Sequence, residues 1–207
     1  ALVHQLVDKI VARPRAQREA TVAPFTGKPL AELPISTPAD VDAAFRAAAR
    51  AQARWAARPV EERARTVGRI HDLILDRQSE VADLVQTESG KARRDAFEEI
   101  VDVALAARYA ASRGPRVLRD RRRLGLVPGL TWALEVRQPK GVVGVISPWN
   151  YPLTLAISDN LPAFVAGNAV VHKPDLKATL TALLARSIAV EAGLPEGVLN
   201  VVTGRGS

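Results

Sequence analysis
The residues with the clearest chemical potential sit in three short segments. The first is Ile146-Ser147-Pro148-Trp149-Asn150-Tyr151-Pro152. Pro148 and Pro152 bracket a stiff turn, and the Asn150 side-chain amide can donate to an oxygen that becomes negative in a reaction. The plainer reading stays open on spacing alone: Asn150 as a helix cap, Trp149 as a core residue. The second segment is Val170-Val171-His172-Lys173-Pro174-Asp175. A lysine leaving a strand at its carboxyl end can reach a ribose hydroxyl or a phosphate, or it can simply be solvated. His172 shows no evident acid partner and reads as a packed or surface histidine. The third is Gly204-Arg205-Gly206, where two glycines allow a close backbone approach to phosphate and Arg205 adds charge.

These segments need elements to bring them together. An irregular stretch is expected over residues 1–35, broken by Pro14, Pro24, Gly27, Pro29 and Pro34. Thr37-Pro38-Ala39-Asp40 reads as a helix start, with Val41, Ala44, Phe45, Ala48 and Trp55 on one face. Pro59 opens a second helix with Val67, Ile70, Leu73 and Ile74 inward. A shorter helix with Val81, Leu84 and Val85 ends at Ser89-Gly90. A further helix is expected over about 92–112, with Phe97, Ile100, Val101, Ala104 and Leu105 inward, closed by Gly114-Pro115. This helical layer spans 36–114.

A β-hairpin is expected within 115–140, around Pro128-Gly129. From 141 to 207 the pattern alternates: a buried strand at 141–147, a helix at 153–165, a strand at 168–172, a helix at 179–192 and a strand at 198–203. That order implies right-handed crossovers and a parallel sheet, hence an α/β fold. In such sheets ligands sit at the carboxyl ends of strands, which is where all three segments fall.

Composition narrows the chemistry. The 207 residues are 47% hydrophobic and 25% charged, as in an ordinary globular chain. They contain no Cys, which excludes a disulfide framework, thiolate metal ligation and a thiol nucleophile on these residues. Three scattered histidines make a metal site a poor reading. The net charge of +7 comes mostly from Arg spread along helical faces. The dense run from Arg116 to Arg123 has no interleaved aromatics, so a solvated face is expected and nucleic acid is not. No apolar run approaches membrane-spanning length and the start has no signal-peptide pattern, so a cytoplasmic protein is expected.

Taken together, several stretches resemble the N-terminal part of the aldehyde dehydrogenase superfamily. They are Glu88-Ser89-Gly90-Lys91, Gly141 to Pro152, Pro162-Ala163 to Ala166-Gly167-Asn168, His172-Lys173-Pro174, and Glu191 to Gly204. The resemblance implies oxidation of an aldehyde to a carboxylic acid with NAD or NADP. In the family a Cys thiolate attacks the carbonyl, hydride leaves to the nicotinamide, and a Glu-activated water hydrolyses the thioester. It also implies that Asn150 stabilises the oxyanion. Ile146, Ser147 and Trp149 would contact the cofactor through their backbone, Lys173 would hold the adenosine ribose within Lys173-Pro174-Asp175-Leu176, and Gly206 would lie near the pyrophosphate. The Rossmann-like sheet would be incomplete within this chain, and the hairpin would be an oligomerisation arm of a dimer or tetramer.

Departures from the family pattern sharpen the expectation. The family's Cys and Glu belong to a part of the pattern that these residues do not contain, which implies a truncated chain, inactive alone. A non-catalytic nucleotide-binding or assembly fragment is the alternative. Leu176 stands where many NAD-preferring members carry a Glu, which makes NADP tolerable, with Lys177 or Arg205 able to help. Ser158-Asp159 replaces an Arg that often meets the substrate carboxylate in succinate-semialdehyde enzymes. The stretches Pro148 to Thr154 and Lys173 to Asp175 nonetheless look most like a second group of bacterial succinate-semialdehyde dehydrogenases.

Overall fold
The computed structural model describes residues 2–206. A short helix, α1 (Leu2–Val7), precedes an antiparallel hairpin of β1 (Arg18–Val22) and β2 (Pro29–Pro34). Both this helix and the hairpin lie where an irregular stretch was expected over 1–35. The hairpin's prolines sit at the first and last positions of β2, where a missing N–H does little damage to a two-stranded ladder.

The helical layer follows. Its first helix, α2 (Pro38–Ala56), starts at the expected cap, with Thr37 and Asp40 bonding reciprocally: the Thr37 N–H donates to Asp40 Oδ2 at 2.8 Å. These Thr37 bonds hold the Asp40 carboxyl below the usual range. Ala44, Ala48 and Trp55 are buried as expected, whereas Phe45 is exposed. The Trp55 Nε1–H donates to the Phe164 carbonyl at 2.9 Å and ties this layer to the sheet half. Next come α3 (Val60–Asp76), α4 (Gln78–Ser89) and α5 (Arg93–Leu118). α4 ends at Gly90, whose φ of 77° is left-handed and suits glycine.

α5 differs from expectation in two ways. It continues through Gly114 and Pro115 to Leu118, and its buried face is Ala96, Ile100, Val103, Ala104, Ala107 and Ala110. Ile100 and Ala104 point inward as expected, but Phe97, Val101 and Leu105 are exposed. The buried stripe is the small-residue one, because short side chains let α5 close against α3 and α7; Gly114 lies so near Val165 that a Cβ would collide with it.

The predicted β-hairpin forms, with β3 (Arg121–Leu124) paired to β4 (Trp132–Glu135). It lies within the expected range, and Arg121 to Arg123 are strand residues, all exposed. The parallel sheet has the order β5 (Val142–Ser147), β6 (Ala169–Pro174), β7 (Leu199–Val201). β6 is buried except for Lys173, but β5 is an edge strand, and Gly144 and Ile146 face outward instead of being buried. The far side of β7 is covered: the Val11 N–H donates to the Val201 carbonyl at 2.9 Å.

The single helix expected over 153–165 is two, α6 (Thr154–Ile157) and α7 (Asn160–Val165). Pro162 has no N–H to give the Ser158 carbonyl, which is met instead by the Leu161 N–H at 3.3 Å, so the ladder breaks there. A single 3-10 turn, Leu176–Ala178, leads into α8 (Thr179–Glu191).

Candidate functional site
The parallel register sets Ile146 beside Lys173 and Ser147 beside Pro174, so β5 and β6 end at one edge. Two bonds fix that edge. The Asp175 N–H donates to the Ser147 carbonyl at 2.9 Å. Ser147 Oγ and His172 Nε2 are hydrogen-bonded at 2.7 Å, both buried. Burial pushes the His172 ring down to about 4, so it is neutral near pH 7 and acts as a tie between strand ends. It is a packed histidine, in line with the plainer sequence reading.

A cleft of about 940 Å³ opens beyond this edge. Its walls include Ile146 to Trp149, Lys173, Asp175 to Lys177, and Gly204 to Gly206. Thus Ile146, Ser147, Trp149, Lys173, Asp175, Leu176 and Gly206 come together as the sequence suggested. Pro174 is buried in β6 and does not line the cleft. Asn150 lies on the adjoining turn, exposed and outside the lining. It does not cap α6, whose cap position is Leu153. Trp149 is 54% exposed and is not a core residue.

The cleft has a further wall that sequence reasoning missed: Glu19 to Val22 of β1 with Pro24, and Glu88-Ser89 at the end of α4. The β1 wall had no local signal, since the flanking Pro14, Pro24 and Pro29 made the region read as a loop. Glu88 stood within a stretch noted for its resemblance, but nothing near it in sequence shows its partners. It is buried, and its carboxylate accepts the N–H groups of Leu180 at 2.6 Å and Thr181 at 2.8 Å, at the start of α8. Burial pushes its carboxyl up to about 7, against the lowering effect of those bonds.

The lining suits a nucleotide. Its volume lies in the range of small-molecule and cofactor sites. Lys173, Lys177 and Arg205 bring cationic groups, Leu176 and Trp149 apolar surface. A Cβ on Gly204 would stand 3.3 Å from Lys173 Cε, so glycine there leaves the lysine its path. Gly206 has open space around it. Lys177 Nζ lies 5.8 Å from the centre of the Trp149 ring. Arg205 Nε donates to Glu19 Oε2 at 2.7 Å, joining the third wall to β1. Among the described residues no three His, Asp or Glu side chains converge as a metal site, and no helix is long and apolar enough to cross a membrane.

The sequence pattern of the aldehyde dehydrogenase family matches residues 11–207. The chain belongs to the aldehyde dehydrogenase family. A Mycobacterium tuberculosis relative, named as a succinate-semialdehyde dehydrogenase using NADP+, is 50% identical over 183 residues, 88% of this chain and 35% of the relative. The chain therefore spans about a third of the length of such curated relatives. Among solved structures, an NAD-dependent benzaldehyde dehydrogenase from Corynebacterium glutamicum superposes with a TM-score of 0.87 at 37% identity, covering 95% of this chain and 43% of that one. An NADP-dependent glyceraldehyde-3-phosphate dehydrogenase from Bacillus halodurans, complexed with NADP, gives 0.86 at 34% identity over 92% and 40%. The α/β architecture with a parallel sheet is that of the aldehyde dehydrogenases.

Proposed function
We propose that this chain supplies the cofactor cleft and the oxyanion donor of an enzyme that oxidises succinate semialdehyde to a dicarboxylate with NADP+. The observation that carries the reading is the cleft itself: in a chain of this family, Lys173, Leu176 and Lys177 meet Gly204 and Gly206 at the carboxyl ends of β5 and β6. The substrate assignment is supported by the relatives named for succinate semialdehyde, although Ser158-Asp159, between α6 and α7, offers that substrate's carboxylate no cation.

When bound, the dinucleotide supplies the hydride acceptor. The Lys173 ammonium binds ribose hydroxyls, and the backbone of Ile146, Ser147 and Trp149 lines the path toward the reacting end. Gly206 admits the pyrophosphate close to the chain. Leu176 puts no carboxylate against a ribose 2′-phosphate, and the Lys177 ammonium adds attraction for it. Asn150 donates its side-chain N–H to the aldehyde oxygen as negative charge develops there. The reading also makes residues 141–207 the cofactor part and 36–114 its helical layer. The 115–140 hairpin becomes the arm of a cytoplasmic homo-oligomer, supported by its exposed Leu124, Leu126, Leu130 and Trp132.

The test uses the whole protein. Asn150→Ala should lower kcat by about 100- to 1,000-fold while cofactor binding holds. Calorimetric titration should show NADP+ binding more tightly than NAD+, and Leu176→Glu should reverse that order. Absence of cofactor-dependent oxidation in the parent protein overturns the reading, and equal cofactor affinities overturn the NADP+ assignment.

A further inference from the structure
Asn150 is exposed on a turn that belongs to neither strand nor helix, so an amide aimed at a reacting oxygen needs support from outside the turn. Pro148 and Pro152 restrict the φ angles within the turn. The support comes from α5. Glu99, only 1% exposed, accepts through Oε2 the N–H of Leu153 at 2.9 Å and of Thr154 at 3.0 Å, directly after Pro152. Its other oxygen, Oε1, accepts from Lys91 Nζ at 2.6 Å. The same Lys91 ammonium lies 4.1 Å from the centre of the Tyr151 ring.

One carboxylate thus grips the chain on the far side of Asn150 twice: directly through two backbone bonds, and through Lys91 onto the neighbouring ring. A buried carboxylate is expensive unless it is paired and hydrogen-bonded, and Glu99 is both. Helix capping by itself does not need the cation. Glu88 caps α8 with the same pair of backbone bonds and no lysine. What Lys91 adds at Glu99 is the link to Tyr151, next to Asn150.

We propose that Glu99, with Lys91, is a positioning residue that holds the 148–154 turn and so aims the Asn150 amide, without touching substrate. The proposal rests on Asn150 being the oxyanion donor, as argued above.

The whole protein is compared as parent, Glu99→Gln, Lys91→Met, Asn150→Ala and the Glu99→Gln/Asn150→Ala double variant. Glu99→Gln and Lys91→Met should each lower kcat about tenfold or more, with the cofactor KM within about twofold. In the Asn150→Ala background, Glu99→Gln should change kcat by less than about twofold, because the group it aims is gone. A full tenfold loss in that background overturns the proposal. Backbone hydrogen exchange is read alongside, independent of activity. It should quicken over 148–155 in both variants and stay unchanged in α8. Unchanged exchange over 148–155, or equal quickening in α8, overturns the proposal whatever the kinetics show. A parent protein that oxidises no aldehyde defeats the proposed function, while the exchange result still decides whether Glu99 and Lys91 hold the turn. Lys91 is partly exposed, so Lys91→Met carries the test if Glu99→Gln fails to fold.

Discussion

Glu88 and His172 are both buried, both ionisable, and shifted by burial so that each favours its neutral form. Their effects on stability run in opposite directions with pH. The His172 ring, held at about 4 against an ordinary 6.5, refuses a proton that the unfolded chain accepts, so its share of stability is lost as pH falls from 6.5 toward 4. The Glu88 carboxyl, at about 7 against 4.5, keeps a proton that the unfolded chain releases, so its share is lost as pH rises from 4.5 toward 7. Each is worth at most about 3 kcal/mol, and between pH 4.5 and 6.5 the two oppose. Urea unfolding at stepped pH should therefore show Glu88→Gln gaining on the parent as pH rises through this window, and His172→Gln gaining as pH falls. A difference from the parent that does not vary with pH would count against either assignment. The sequence suggested a packed or surface His172, and the structure makes it packed. The sequence held no hint of the partners of Glu88, which are 92 and 93 residues away.

Among the elements, α5 shows where periodicity misleads. Large apolar residues at 97, 101 and 105 suggested one face, while the molecule buries the alanine-rich face between α3 and α7. The Gly114–Val165 contact makes this measurable. On helix propensity Gly114→Ala should stabilise α5 by up to about 1 kcal/mol. The new methyl meets Val165, and overpacking of that kind costs about 1–3 kcal/mol. The net effect should be destabilising, and Val165→Ala in the same chain should recover part of it. Stabilisation by Gly114→Ala in thermal or urea unfolding would show that the helices can separate at no cost. The other local readings fared according to their range. The Thr37 cap and the Gly90 stop depend on residues within three or four positions and were legible. The β1–β2 hairpin depends on pairing across a turn that its prolines obscured, and was not.

At the scale of the whole molecule, the surface combines a net charge of +7 with exposed apolar groups at the β3–β4 hairpin and along the open edge of β5, where Ile146 is 80% exposed. Patches of this kind favour association over a free monomer. The isolated 207 residues should sediment as more than a monomer, and replacing Leu130 and Trp132 by Ser should shift them toward one; a monodisperse parent monomer would contradict this. With no Cys among them, they should also show no aldehyde oxidation of their own. The sequence by itself determined the fold class, because strand ends, glycine turns and caps are set by near neighbours in the chain, and it pointed to the family and to most of the cleft through the resemblance its segments carry. Only the tertiary structure decided the β1 wall, joined to the cleft by Arg205 and Glu19 at a separation of 186 residues, and the grip of Glu99 on the turn that carries Asn150, 54 residues from Leu153. Such contacts leave no trace in local periodicity. The first joins two surface side chains and the second brings a buried carboxylate to free backbone N–H groups, and both pairings are settled by the fold as a whole.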